Sequence, residues 1–111
     1  MSKARVRILF DQGTPAPLRH HLAAHSVSTS FELGWEQLDN GALLLAAEQA
    51  GFEVFVTTDK NLRFQQNLSG RQLAILVLPF ASWRRLRAHA GLIAIAIDAL
   101  KPSDYVEIML P

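Results

Sequence analysis

The chain has no cysteine, which excludes disulfides and thiolate metal sites. It has no surplus of either charge. Eleven Lys and Arg stand against ten Asp and Glu, a formal charge of +1, so nothing draws the whole molecule to nucleic acid and any such binding rests on local basic patches. It has no apolar run long enough to cross a bilayer. The longest, 90–100, is interrupted by Asp98 and falls well short of the roughly 20 residues required. The basic start, Met1-Ser2-Lys3-Ala4-Arg5, leads only into Val6 to Phe10, too short an apolar stretch for a signal peptide. Repeats, linkers and low-complexity segments are also missing. These absences predict a soluble, cytoplasmic protein with no membrane partner, and 111 residues predict one domain, 1–111.

What the chain does have is apolar patterning. Half of its residues are hydrophobic and 19% are charged, the balance of a chain with a real core. Two short runs each break off at an aspartate: Val6-Arg7-Ile8-Leu9-Phe10-Asp11 and Val54-Phe55-Val56-Thr57-Thr58-Asp59. Runs of this length, rich in Val, Ile and Phe, read as buried strands. A third buried strand covers 73–78 and ends at Pro79, and Val27-Ser28-Thr29 is a shorter β-prone piece. At 105–110, Val106, Ile108 and Leu110 alternate with Tyr105, Glu107 and Met109, the pattern of a half-covered edge strand.

Helical signals fill the gaps. Pro15 and Pro17 suit a helix start that Leu18, Leu22 and Ala23 carry forward. After a turn anchored by Trp35, Asp39-Asn40 opens a run through Leu43, Leu44 and Ala47 to Glu48, read as solvent-facing, and Gly51 supplies the stop. Asn61 is expected to cap a brief helix over 62–68. Ser82 is expected to cap a long one over 83–100, with two apolar stripes. Leu86, Ala90, Ile93, Ile97 and Leu100 form the first; Ala88, Leu92, Ile95 and Ala99 form the second, a candidate homodimer or partner interface.

Strands alternating with helices at this spacing predict an α/β fold. We expect a three-layer α/β/α sandwich around a mostly parallel five-stranded sheet, with right-handed crossovers and strand order 2-1-3-4-5. The first and third strands then lie side by side, and the crevice at their carboxyl ends is the switch point where such sheets bind ligands. Asp11 and Asp59 flank it. Two acids there repel each other unless a cation or a hydrogen-bond network lies between them. Hard oxygen ligation of Mg²⁺ or Mn²⁺ is the functional reading; the plain alternative is that each aspartate caps the turn or helix that follows.

The segments Leu9-Phe10-Asp11-Gln12-Gly13-Thr14-Pro15 and Val56-Thr57-Thr58-Asp59-Lys60-Asn61-Leu62-Arg63-Phe64-Gln65-Gln66-Asn67-Leu68 resemble the signature segments of a bacterial PIN-like domain family. Its members are short single-domain proteins described as toxins of toxin–antitoxin pairs. The resemblance extends over nearly the whole chain. It implies a PIN-type fold related to metal-dependent ribonucleases, with Asp11 and Asp59 as metal ligands, RNA as substrate and a cognate antitoxin as partner. PIN nucleases also draw an acid from the helix between those strands. The matching position here is Asn40, with Asp39 adjacent as a natural N-cap, and no fourth acid follows Asp59. Both Asn40 and Asp39 are carried forward as catalytic candidates. Gln12, Lys60, Arg63, Gln66 and Asn67 are candidates for binding phosphate or bases.

Two readings compete with a ribonuclease. The missing acids favour a non-catalytic PIN-like module that binds RNA or protein. A phosphoacceptor receiver-like domain shares the strand order but needs paired acids after the first strand, where Gln12 follows Asp11. Elsewhere, Arg84, Arg85, Arg87 and His89 set cations near a helix start, which is mildly unfavourable unless phosphate or an acidic partner compensates; the alternative is a solvated basic face. His21 and His25 lie four apart, but they have neither an intervening Glu nor a third ligand to complete a zinc site.

Overall fold

The structure is a computed structural model and describes residues 5–111; Met1 to Ala4, part of the basic start, lie outside them. Its strands are β1 (Arg7–Phe10), β2 (Ser26–Thr29), β3 (Val54–Thr57), β4 (Ala74–Val77) and β5 (Tyr105–Glu107). All pair in parallel, in the order 2-1-3-4-5. Among the described residues no helix is long and apolar enough to cross a membrane.

Side chains alternate across a strand, and here both faces of the sheet are covered. Ile8, Phe10, Val54, Val56, Ala74 and Leu76 point into one core cluster, together with Leu86, Ile93 and Ile97 from the C-terminal helical stretch. Leu9, Phe55, Ile75 and Val77 point into the other. There they meet Leu43, Leu44 and Ala47 of α1 (Asn40–Gln49) and Leu62 of α2 (Leu62–Gln65). Burial on both faces is why these strands read as unbroken apolar runs.

Three helical expectations need correction. The segment after Asp11 is a 3-10 helix, Ala16–His21, with Pro15 at its N-cap. Pro15 and Pro17 take amide donors out of its first turn, and the short, tight segment that remains seats Leu18 in the core. The stretch 83–100 is not one helix but α3 (Trp83–Leu86), a 3-10 turn (Arg87–His89) and α4 (Ala90–Ala99). The break falls at His89, whose φ of −115° and ψ of 13° leave the helical region. The third segment, α2, stops at Gln65 rather than 68, and Asn61 makes no side-chain cap.

The stripes themselves are as expected. Leu86, Ala90, Ile93, Ile97 and Leu100 are buried, whereas Leu92 and Ile95 are exposed, Ile95 to 65%. Ser82 caps α3 by accepting from Arg85 N, and Asp39 caps α1 by accepting from Ala42 N at 2.9 Å. Glu48 is not simply solvent-facing: it forms an ion pair with Arg71. Ladder pairing of the last strand ends at Glu107, and Val106 is exposed, while Ile108 and Leu110 pack against the first cluster.

His25 fastens the start of the sheet to α4. Its Nδ1 accepts from Val6 N at 3.2 Å, so Nε2 carries the proton toward Asp98 Oδ1, 2.8 Å away. The other histidine of that pair, His21, stacks on Trp83 with ring centroids 5.5 Å apart.

Truncating the buried stripe tests this packing. Ile93→Ala or Leu86→Ala is expected to cost about 2–5 kcal/mol in urea unfolding, and Ile95→Ala less than about 0.5 kcal/mol.

Candidate functional site

Strand parity sets the site. Leu9 pairs with Phe55 and Phe10 with Val56, so one residue further along Asp11 lies level with Thr57. Both point to the α1 side, as Leu9 and Phe55 do, and Asp59, two residues beyond Thr57, continues that face. Asp11 is still held in the sheet, its N–H donating to Val56 O at 3.1 Å. The N-terminus of α1 comes in over this edge and brings Asn40 with it.

The hydrogen bonds join the two acids through one hydroxyl. Thr57 Oγ1 donates to Asp11 Oδ2 at 2.5 Å and accepts from Asp59 N at 3.0 Å. Thr14 Oγ1 lies 2.7 Å from Asp11 Oδ1 and 3.0 Å from Val56 O, so its single proton has two acceptors. Asp59 Oδ2 accepts from Asn40 Nδ2 at 2.7 Å, and Oδ1 accepts from Asn61 N at 2.9 Å. Both aspartates therefore order the turns that follow them; Asp59 meets Thr57 through its backbone N–H, and its carboxylate, bound by Asn40, lies close enough for its charge to act on Asp11. The turn-capping role proposed for Asn61 belongs to Asp59.

Electrostatics mark Asp11 as the strained member. Burial holds its carboxyl above the ordinary value of 3.8; hydrogen bonds from Thr57 and Thr14 oppose the shift, and the charge of Asp59 adds to it. Glu32 is the opposite case. Arg19, on both its oxygens, and the Thr29 N–H hold it down at about 2. The Glu32 side chain is 47% exposed, so solvent screens that pair to a fraction of a kcal/mol.

Two cavities meet at Asp11. The larger, about 640 Å³, is walled by Pro15, Arg19, Thr29, Phe31, Glu32 and Ala81. The smaller, about 120 Å³, is walled by Trp35, Glu36, Leu38, Asn40 and Leu43. Gln12, Gly13 and Ser30 border both. Gln12 donates from Nε2 to Glu36 O at 2.9 Å, which ties the 36 loop to the cleft. Ser30 Oγ and Glu36 Oε2 are buried without a hydrogen-bond partner.

The other expected site residues fall in several places. Asp39 lies at the helix start, its carboxylate occupied as the N-cap. Gln66 sits by the start of α1, where a Cβ added to Gly41 would meet its Oε1 at 2.8 Å. Asn67 closes a local turn by accepting from Ser69 N. Lys60 lines a separate depression with Pro79 and Glu107. Arg63 pairs with Glu107 at 3.8 Å, its guanidinium over the Phe64 and Tyr105 rings. Neither of these cations lines the cavities at Asp11. Glu36, Thr57, Thr14, Ser30 and Phe31 were not foreseen. The only available signal was that Thr57 shares the parity of Asp59 within an otherwise apolar run, and that Glu36 follows the aromatic anchor Trp35.

The donor set suits a hydrated hard cation. Mg²⁺ takes one or two carboxylates and keeps several waters, and each Asp11 and Asp59 oxygen has acceptor capacity left beyond its present bond. The unpartnered Glu36 Oε2 in the adjoining cavity is a third anionic oxygen. Among the described residues, however, no group of three or more His, Cys, Asp or Glu is gathered closely enough to hold a metal by itself. Compared with protein-family profiles, with curated proteins and with solved structures, the chain finds no match.

Because the folded pKa of Asp11 is raised, the folded state takes up this proton at a higher pH than the unfolded chain does. Its ionised form thus lowers stability at neutral pH, and the loss is relieved as pH falls through the folded pKa toward 3.8. Asp11→Asn is expected to stabilise the fold at pH 7 by about 1 kcal/mol, or about 5 °C in Tm. By calorimetry, the gap between variant and wild type should narrow as pH approaches 4.

Proposed function

We propose that the chain is a PIN-like, Mg²⁺- or Mn²⁺-dependent endoribonuclease with three α/β/α layers, a cytoplasmic toxin held in check by a cognate antitoxin. The observation that carries this reading is that Thr57 Oγ1, at the carboxyl edge between β1 and β3, takes the Asp59 N–H and gives its proton to the Asp11 carboxylate, so that the two acids are held near each other. Asp11 is held there at an electrostatic cost, its pKa raised chiefly by burial and further by the charge of Asp59. Perturbed acids in a cleft are a mark of function. The resemblance of the segments around both acids supplies the reaction class.

When bound, the metal ion neutralises phosphate charge and acidifies a water. The protein's own residues do the positioning. Thr57 and Thr14 fix the Asp11 carboxylate, and Asn40 fixes that of Asp59, so neither needs to reorganise when a cation or phosphate arrives. Glu36 borders the smaller cavity, and its Oε2 has no hydrogen-bond partner. Lys60 and Arg63 are set aside as phosphate ligands, because they border a different surface. The exposed Leu92 and Ile95 of α4 are the residues that would face a second copy or the antitoxin.

A second reading has its own observation. Asn40, where a nuclease would carry an acid, gives its amide to Asp59 and satisfies that carboxylate without a metal. On this reading the chain is a non-catalytic PIN-like module that binds RNA or protein.

Incubation with mixed RNAs and Mn²⁺, together with a calorimetric Mn²⁺ titration, separates the two. The nuclease reading expects metal binding, and cleavage that falls on the order of 100-fold or more in Asp11→Asn and in Asp59→Asn. Absence of binding at millimolar Mn²⁺, or cleavage that survives in the double variant, removes it.

A further inference from the structure

The larger cavity at Asp11 has a feature that its position alone does not explain. Phe31 is 73% exposed on its rim, yet the turn that carries it is held rigidly. Thr29 N donates to Glu32 Oε1 at 2.9 Å, and Glu32 N donates back to Thr29 Oγ1 at 3.1 Å. Arg19 then clamps both Glu32 oxygens and Val27 O, the last at 2.6 Å. Trp35 N donates to Ser30 O at 2.8 Å and closes the same turn. A large apolar ring is thus presented to solvent by a clamped turn, beside a polar cleft. Behind it lies Ser30, 1% exposed, its hydroxyl unpartnered. Ser30 borders both the larger cavity and the one containing Glu36.

From this arrangement we infer that the groove between Phe31 and Asp11 is a nucleobase subsite for single-stranded RNA, in which one base stacks on Phe31 and a polar edge of the same nucleotide engages the Ser30 hydroxyl. A base has a π-face whatever its identity, so an exposed aromatic platform binds single strands with little sequence preference. Because the turn is already ordered, stacking on it carries little conformational cost. A volume of about 640 Å³ lies within the range of small-ligand pockets. Asp11 at the far wall puts the adjoining phosphate next to the carboxylate cleft. The inference rests on the ribonuclease reading for its choice of RNA, but it concerns binding and not cleavage.

The test uses the full chain and a fluorescein-labelled single-stranded oligoribonucleotide of mixed sequence, with EDTA present so that nothing is cut. By anisotropy, Phe31→Ala is expected to weaken binding about 10-fold or more, and Phe31→Trp to restore it. Ser30→Ala is expected to weaken binding about 3- to 10-fold without lowering the melting temperature, since the hydroxyl has no partner to lose. A strand carrying 2-aminopurine should lose fluorescence on binding to wild type and Phe31→Trp, but not to Phe31→Ala. An abasic strand of equal length should not distinguish Phe31→Ala from wild type. Equal affinity of wild type and Phe31→Ala for the mixed strand overturns the inference, as does no RNA binding at all, or an equal loss with the abasic strand. Phe31-dependent binding without cleavage in Mn²⁺ upholds the subsite while removing the nuclease.

Discussion

The molecule depends on the in-register pairing of β1 with β3. That pairing sets Asp11 level with Thr57 and lets a single hydroxyl touch two acidic residues 48 positions apart in the chain. A slip of one residue would turn Asp11 toward the opposite face of the sheet, where Phe10 and Val56 lie. The register is fixed by those apolar neighbours, so the same burial that stabilises the sheet also aims the polar edge. Fold and site are one constraint at this point.

The core supports an arrangement that is locally unfavourable. Asp11 is held in a place that resists its charge, and Glu36 and Ser30 have polar atoms withheld from water without partners. Each unpartnered atom is a cost of order 1 kcal/mol, set against a sheet buried on both faces. These two adjoin the cavities at Asp11; a third unpartnered atom, Arg71 Nε, lies elsewhere, although the same guanidinium pairs with Glu48. Other polar groups are matched: Arg19 with Glu32, His25 with Val6 and Asp98.

Much of this was legible in the sequence, for a definite physical reason. Apolar runs stopping at Asp11 and Asp59 are local signals, and parallel order with right-handed crossovers leaves few ways to arrange them. The buried stripe from Leu86 to Leu100 followed from helical spacing alone, even though the helix breaks at His89. Less legible were features decided by partners far away in the chain. Arg63 and Lys60 follow Asp59 closely, but Arg63 is claimed by Glu107 and Tyr105, which no local pattern announces. Asn61 looked like a cap until Asp59, two residues earlier, took the role. Glu36 and Phe31 lie in a turn without periodicity, and only the folded position of that turn brings them to Asp11. Pro15 and Pro17 do stand at a helix start, but the segment they open is a 3-10 helix, a difference that first-turn prolines, compatible with either form, do not signal.

Arg63 also bears on how the outer part of the sheet is held. A parallel sheet of five strands has two open borders, and β5, three residues long, is one of them. The guanidinium lies over the Tyr105 ring and reaches Glu107, so a single α2 side chain touches the first and last residues of β5. Tyr105 and Glu107 are two apart and so share one face of the sheet. The guanidinium crosses that face and ties α2 to this outer strand, an anchorage between helix and sheet made by a long polar side chain where the core clusters elsewhere use apolar ones.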